Sequence, residues 1–334
     1  MSNLPPRQRM MPRDGAGQMD LIGGTGPVMH PIGMPGFMEL YKVDRTFRAQ
    51  APDNVDPART KPNVPWTWRV SDEVGCANPI VGRVFIQCAE SLNNIQLKRG
   101  DSEKIKVALH TCKEDLRNCE KAFLRISAVH DQIVAKLAKT EGLKVERGVI
   151  NDLPGNPNLE YDATIFLTNA KRALQGIAEV LNQFYGLTIS NARFDKGRTQ
   201  LKGLNPPPDP QLVEMLEHFA KDIERVLNLR NFLEHTPKKT IIEDFGVSAD
   251  ALHPPRWRVD PDPPSEMLPD MQKIIGGLIN VAECCFFIAL IDNIDSPPGP
   301  FAYVVEEIPE AQREGAAVHF RCELKQVGEP PFGA

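Results

Sequence analysis

The longest periodic pattern in the chain runs from Asp101 to Gly142. Apolar positions recur there at alternating steps of four and three: Ile105, Leu109, Cys112, Leu116, Cys119, Phe123, Ile126, His130, Ile133 and Leu137. Such spacing predicts one amphipathic helix with a coiled-coil-like seam. About 40 residues at about 1.5 Å each span about 60 Å, so the helix either protrudes towards another chain or bends. His130 lies on the apolar stripe and is expected as a core residue rather than a ligand. Two further stripes flank this helix. Asn78-Pro79 opens one with Val81, Val84, Phe85, Cys88, Leu92 and Ile95 on a face, ended by Gly100. The other runs from Leu159 to Tyr185, with Phe166, Ala170, Ala173, Leu174, Ile177, Leu181 and Phe184 inward, Lys171 and Arg172 on the polar face and Gly186 closing it. The segment from Leu143 to Asn158 reads as a loop.

A fourth pattern, from Asp209 to Pro237, carries the chemistry. Asp209 can cap the first free N–H groups, Pro210 suits the first helical position, and Thr236-Pro237 opposes continuation. Its stripe reads Leu212, Leu216, Phe219, Ile223 and Val226, then Arg230 where an apolar residue is due, then Leu233. A guanidinium on a core-facing stripe needs a partner, an anion or water, because an unpaired buried charge costs several kcal/mol. Five residues on, His235 is about 140° away on an unbroken helix, and Pro237 is expected to loosen the last turn so that both side chains share a pocket.

The remaining stretches are shorter. Thr188 to Pro208 reads as a polar, solvated connection bearing Arg193, Lys196, Arg198 and Lys202. Ser265 introduces a last helix to about Ile294, apolar on nearly all sides. Its run Cys284–Ile291 is shorter than the roughly 20 residues of a membrane span and is expected as a buried helix. Tyr303-Val304-Val305 and the alternation Val318, Phe320, Cys322, Leu324 predict two strands, a hairpin around Gly315 that must dock on the body or on another chain. Residues 1–76, rich in Met, Pro and Gly, show no sustained period and are expected to be extended or of low order. Trp66 and Trp68 in VPWTWRV suggest a short strand or an anchor. The expected architecture is therefore mainly α: a helical bundle over 77–295, an extended N-terminal segment over 1–76, and C-terminal strands and tail over 296–334.

Charge and composition narrow the function. A formal net charge of −5 over 334 residues opposes wholesale electrostatic binding of nucleic acid and leaves room for a local basic pocket. Seven cysteines, an odd number without a CxxC pair, read as reduced packing residues of a cytoplasmic protein, with no zinc framework and no secretory signal. GxSxG is absent, and Gly23-Gly24-Thr25-Gly26 lacks the strand and helix that a phosphate loop requires. No metal and no cofactor are expected.

Arg230-Asn231-Phe232-Leu233-Glu234-His235 resembles the Arg-Asn-x-x-x-His signature of HEPN domains, the all-helical family of toxin–antitoxin, abortive-infection and RNA-guided ribonucleases. The resemblance covers about 101–295. It implies metal-independent RNA cleavage by attack of the 2′-hydroxyl on the adjacent phosphate, at a site often completed by a second copy in a homodimer. His235 suits a general base or acid, Arg230 a phosphate clamp and Asn231 an orienting donor. Arg198, Lys202, Lys238 and Lys239 are the candidate RNA contacts. The family's modifiable tyrosine, two residues after the histidine, is Pro237 here. Two stretches repeat the spacing without an asparagine: Arg125 with His130, and Arg313 with His319, one residue longer. The alternative expectation is a non-catalytic helical scaffold that binds partner proteins through its long helix and its termini. Neither reading involves a membrane.

Overall fold

The computed structural model describes residues 21–93, 95–139, 145–146, 149–150, 153–235, 239–247, 252–295, 297 and 299–326. The protein is mainly α-helical with several small sheets. It divides into two compact units, one of residues 1–93 with 306–322 and one of residues 94–305 with 323–334.

In the first unit, the described part of the segment expected to be of low order forms an antiparallel meander of four strands: β1 (His30–Met34), β2 (Phe37–Tyr41), β3 (Thr46–Gln50) and β4 (Thr67–Asp72). A short helix α1 (Pro52–Val55) links the last two. Ile32, Tyr41, Phe47 and Ala49 are buried, Trp68 lies in the short strand expected there, and its ring meets Phe47 of the neighbouring strand edge-on at 5.8 Å. The low-order expectation fails because strands of five or six residues yield too few alternations to stand out among Pro and Gly. Glu39 interrupts the apolar series but is buried, accepting from the Tyr41 hydroxyl and from Arg48 at 3.0 Å.

The first predicted helix is shorter than its apolar series. A π-helical run Ile80–Ile86 continues into α2 (Gln87–Ser91) and stops, leaving Ile95 and Gly100 outside the helix. The tip of the C-terminal hairpin docks on it. Gln87 Oε1 accepts from the backbone N–H of His319 and Phe320 at 2.6 and 3.0 Å, and Ala317 N–H donates to the Cys76 carbonyl. At Gly82 a Cβ would sit 2.3 Å from the Ala317 carbonyl oxygen, so only glycine admits this approach. The hairpin is formed by the last two strands of the chain, β12 (Phe301–Glu307) and β13 (Phe320–Gln326), with Gly315 at φ +84° in the connection.

The second unit is built on α3 (Ser102–Lys139), one continuous helix capped by Asp101, whose Oδ1 accepts from the N–H of Glu103 and Lys104. Gly142, its predicted end, lies outside the described residues. Two-residue strands β5 (Val145–Glu146) and β6 (Val149–Ile150) pair within the predicted loop. Helix α4 (Leu159–Tyr185), closed by left-handed Gly186 as expected, packs antiparallel along α3. The register is marked by Arg125–Asp162, Cys119–Phe166 and Asn118–Asn169 contacts. Antiparallel packing buries the stripes where the two helices overlap, whereas the last turns of α3 run past the start of α4 and leave His130 and Leu137 half-buried.

Thr188 to Pro208 is not simply a solvated connection. Phe194, Gly197 and Leu201 are buried on one face of α5 (Phe194–Lys202). The Asp209–Pro237 pattern is also not one helix. Asp209 caps α6 (Pro210–His218) as expected, accepting from Gln211 N–H at 2.9 Å, and α7 (Ala220–His235) follows after Phe219. Phe219 has ψ −2°, a tightened turn rather than regular α geometry. Small ladders follow: β7 (Thr240–Glu243), β8 (Gly246–Val247), β9 (Leu252–His253), β10 (Arg256–Val259) and β11 (Ser265–Glu266), in which β10 lies between β7 and β11.

The last helix, α8 (Met267–Asn293), packs against α3, α4 and α6. The short apolar run of the sequence is part of a 27-residue helix that is long and apolar enough to cross a membrane by length and composition; 61% of its most apolar window is buried in the fold. Asp270 near its start collects three donors on Oδ2: Arg225 at 2.5 Å, Trp257 Nε1 at 2.6 Å and Ser265 Oγ at 3.0 Å. This carboxylate ties α7, β10 and β11 to α8.

Candidate functional site

Helix α7 buries Ile223, Val226 and Leu229, a three-residue step that puts Leu229, not Arg230, in the core slot. The expectation for Arg230 is corrected accordingly: it lies one position round the helix, its side chain 17% exposed. From there its guanidinium reaches Glu234 one turn on at 2.5 Å and Asn231 Oδ1 at 3.3 Å. Its Nε is buried and makes no hydrogen bond. Across the helix pair, Lys171 of α4 donates to the same Asn231 oxygen at 3.0 Å. Burial, with the nearby Arg230 cation, lowers the Lys171 pKa, and Glu234 partly offsets this.

His235 is the last helical residue, with its side chain 69% exposed, and its Nε2 stands 3.8 Å from Glu234 Oε2. The oxygen it faces is the one that holds Arg230. One carboxylate therefore bridges the angular gap that five residues create on a helix. Thr236, Pro237 and Lys238 lie outside the described residues. Lys239 stands over the Phe232 ring at 5.0 Å, a cation–π contact that keeps its charge on the α7 surface.

Asn231 also borders a groove of about 400 Å³ shared with α5, lined among others by Arg193, Asp195, Arg198, Glu224 and Asn228. The two basic candidates of α5 differ. Lys202 is paired with Glu217 at 2.9 Å. Arg198 forms no hydrogen bond or ion pair within the described residues and faces the groove. Arg193 is engaged by Asp195 through two parallel hydrogen bonds of 2.9 and 2.7 Å, which hold the Asp195 carboxyl down at about 2. The structure thus brings together Arg230, Asn231 and His235, and places Arg198 on the groove that Asn231 closes. Lys202 is engaged elsewhere.

In the sequence Lys171 is a polar-face residue of α4 with no tie to the α7 motif, and Glu234 is one of the unspecified positions of that motif. The signal for Glu234 was its i+4 spacing from Arg230. For Lys171 no signal existed, because its approach depends on how α4 and α7 pack.

The two look-alike stretches are structural. Arg125 pairs with Asp162 at 2.7 Å, whereas His130 stacks on Phe245 at 5.6 Å. Arg313 donates to the Ile308 carbonyl and to Glu307 within the hairpin connection. No protein-family model, curated protein or solved structure matches the chain.

Proposed function

We propose that the protein is a metal-independent endoribonuclease of HEPN type that works in the cytoplasm as a homodimer, with Arg230, Asn231 and His235 at its centre. The observation that carries the reading is the gathering of Arg230 and His235 on one oxygen of Glu234, with Lys171 completing a cationic cluster at Asn231. A phosphodiester offers what this cluster lacks, a second anion for the Arg230 guanidinium and the Lys171 ammonium. The exposed His235 imidazole takes the proton of the ribose 2′-hydroxyl. The 2′-oxygen attacks phosphorus, the bond to the 5′-oxygen breaks, and that oxygen leaves with a proton from water or from the histidine of the second copy. Arg230 and Lys171 stabilise the charge on the phosphoryl oxygens. Arg198 and Lys239 hold the flanking strand through its phosphates; Lys238 is a further candidate contact, and Lys202 becomes one when it exchanges Glu217 for a phosphate.

The test is incubation of a mixed RNA pool with the purified full chain in EDTA, beside Arg230→Ala and His235→Ala. Cleavage by the wild type alone supports the reading. Equal cleavage by all three, or none by any, removes it. A second reading, a scaffold that binds proteins, draws on the exposed Leu124 and Tyr161 (54% and 69%) on α3 and α4 beside the Arg125–Asp162 pair. That reading takes over when the folded wild type leaves RNA intact.

A further inference from the structure

The first unit holds a cluster of sulfur and imidazole that the ribonuclease reading does not use. Gly75 places Cys76: a Cβ there would lie 1.9 Å from the Lys42 carbonyl oxygen, so the absence of a side chain lets the backbone close on the β2–β3 turn. Cys76 N–H then donates to Lys42 and Ala77 N–H to Val43, both at 2.9 Å. Anchored in this way, Cys76 is fully buried as a free thiol, and its Sγ lies 3.8 Å from Met29 Sδ. His30 follows Met29. Its Nδ1 is held by Glu90 of α2 at 2.8 Å, and its buried Nε2 completes no regular hydrogen bond. Burial opposes protonation of the ring, but Cys76 and Glu90 beside it outweigh that and raise the His30 pKa to about 9.

We propose that Met29 Sδ, His30 Nε2 and Cys76 Sγ bind a soft cation, copper(I). Thiolate, thioether and imidazole together are the donor set that favours this ion over hard cations. The spacing suits it. With metal–sulfur bonds of about 2.3 Å, sulfurs this far apart subtend on the order of 110° at the ion, and the His30 ring lies in contact with Cys76 as the candidate third ligand. The Glu90–His30 bond is the carboxylate–histidine arrangement that orients a ligand and leaves the other ring nitrogen for the metal. Burial removes the thiol from any macromolecular substrate, so the same residues fit a metal better than a nucleophile. Binding displaces two protons to solvent, one from the Cys76 thiol and one from the His30 imidazolium at Nε2, and no electron is transferred.

The test is an anaerobic titration of the reduced full chain with copper(I) against a chromophoric chelator. The expected result is one equivalent retained by the wild type, with affinity reduced at least about tenfold in Met29→Leu, His30→Ala, Cys76→Ser and Glu90→Gln. Cys322→Ser and Met10→Leu should retain it unchanged. Met29→Leu preserves side-chain volume, and a far-ultraviolet spectrum checks that it folds. Unchanged copper binding by folded Met29→Leu overturns the proposal. So does a wild type that yields all its copper to the chelator, or an X-ray absorption spectrum with sulfur ligands alone.

Discussion

Replacing Asp270 by alanine removes the acceptor that joins α7, β10 and β11 to α8. Three donors lose this acceptor, and of them Arg225 still reaches Ser265 Oγ at 2.8 Å. Trp257 is completely buried, so its indole N–H cannot turn to water, and leaving it unsatisfied costs about 1–3 kcal/mol. The Arg225 side chain is one-third exposed, and solvent screens its loss to about 1 kcal/mol. Ser265 retains a weak contact to the Trp257 carbonyl at 3.4 Å and contributes least. The expected total is about 3 kcal/mol, a large share of the stability of an ordinary domain. Urea unfolding followed by far-ultraviolet circular dichroism reads it, with Arg225→Ala expected to cost about 1 kcal/mol. Trp257→Phe in the Asp270→Ala background removes the orphaned donor and should recover part of the loss. A loss below about 1 kcal/mol for Asp270→Ala at unchanged m-value would refute the hub.

Three further outcomes follow from named contacts. Burial, opposed by Arg172 and reinforced by Glu114, pushes the Asp115 carboxyl up to about 6, so the folded state keeps a proton that the unfolded chain loses at lower pH. Stability should therefore fall as pH rises from about 4 to 6, by at most about 3 kcal/mol, and Asp115→Asn should flatten that part of the profile. Gly82→Ala should cost about 1–3 kcal/mol through its collision with the Ala317 carbonyl, and hydrogen exchange at His319 and Phe320 should accelerate as the hairpin tip lifts. Glu234→Gln removes the shared carboxylate, and RNA affinity should rise as the positive charge of Arg230 and Lys171 goes uncompensated; unchanged binding in a filter assay would count against a phosphate site there.

How much could be read beforehand depended on the range of the interaction. Helix ends set by neighbouring residues were legible: the Asp101 and Asp209 caps and the Gly186 termination are local chemistry. The meander was not, because Glu39 on the buried face of β2 looks polar until Arg48 and Tyr41 of the sheet surround it. Helix α5 hid behind its charges, although Phe194, Gly197 and Leu201 carried its spacing. Within the candidate site, Arg230, Asn231 and His235 stand out by their pattern, and all three lie on the last turns of α7. The slot assigned to Arg230 belongs to Leu229, because steps of three and of four from Val226 stay near one face of a helix and the buried series takes the shorter one.

The central claim is that the α7 cluster cleaves RNA through the ribose 2′-hydroxyl. The most direct measurement is the end chemistry of the products formed in EDTA from a defined oligonucleotide and from its twin carrying a 2′-deoxy sugar at the cleaved position. The account predicts 2′,3′-cyclic phosphate and 5′-hydroxyl ends from the first, an intact second, and loss of both products with His235→Ala. Cleavage of the deoxy twin, or 5′-phosphate ends, would contradict it.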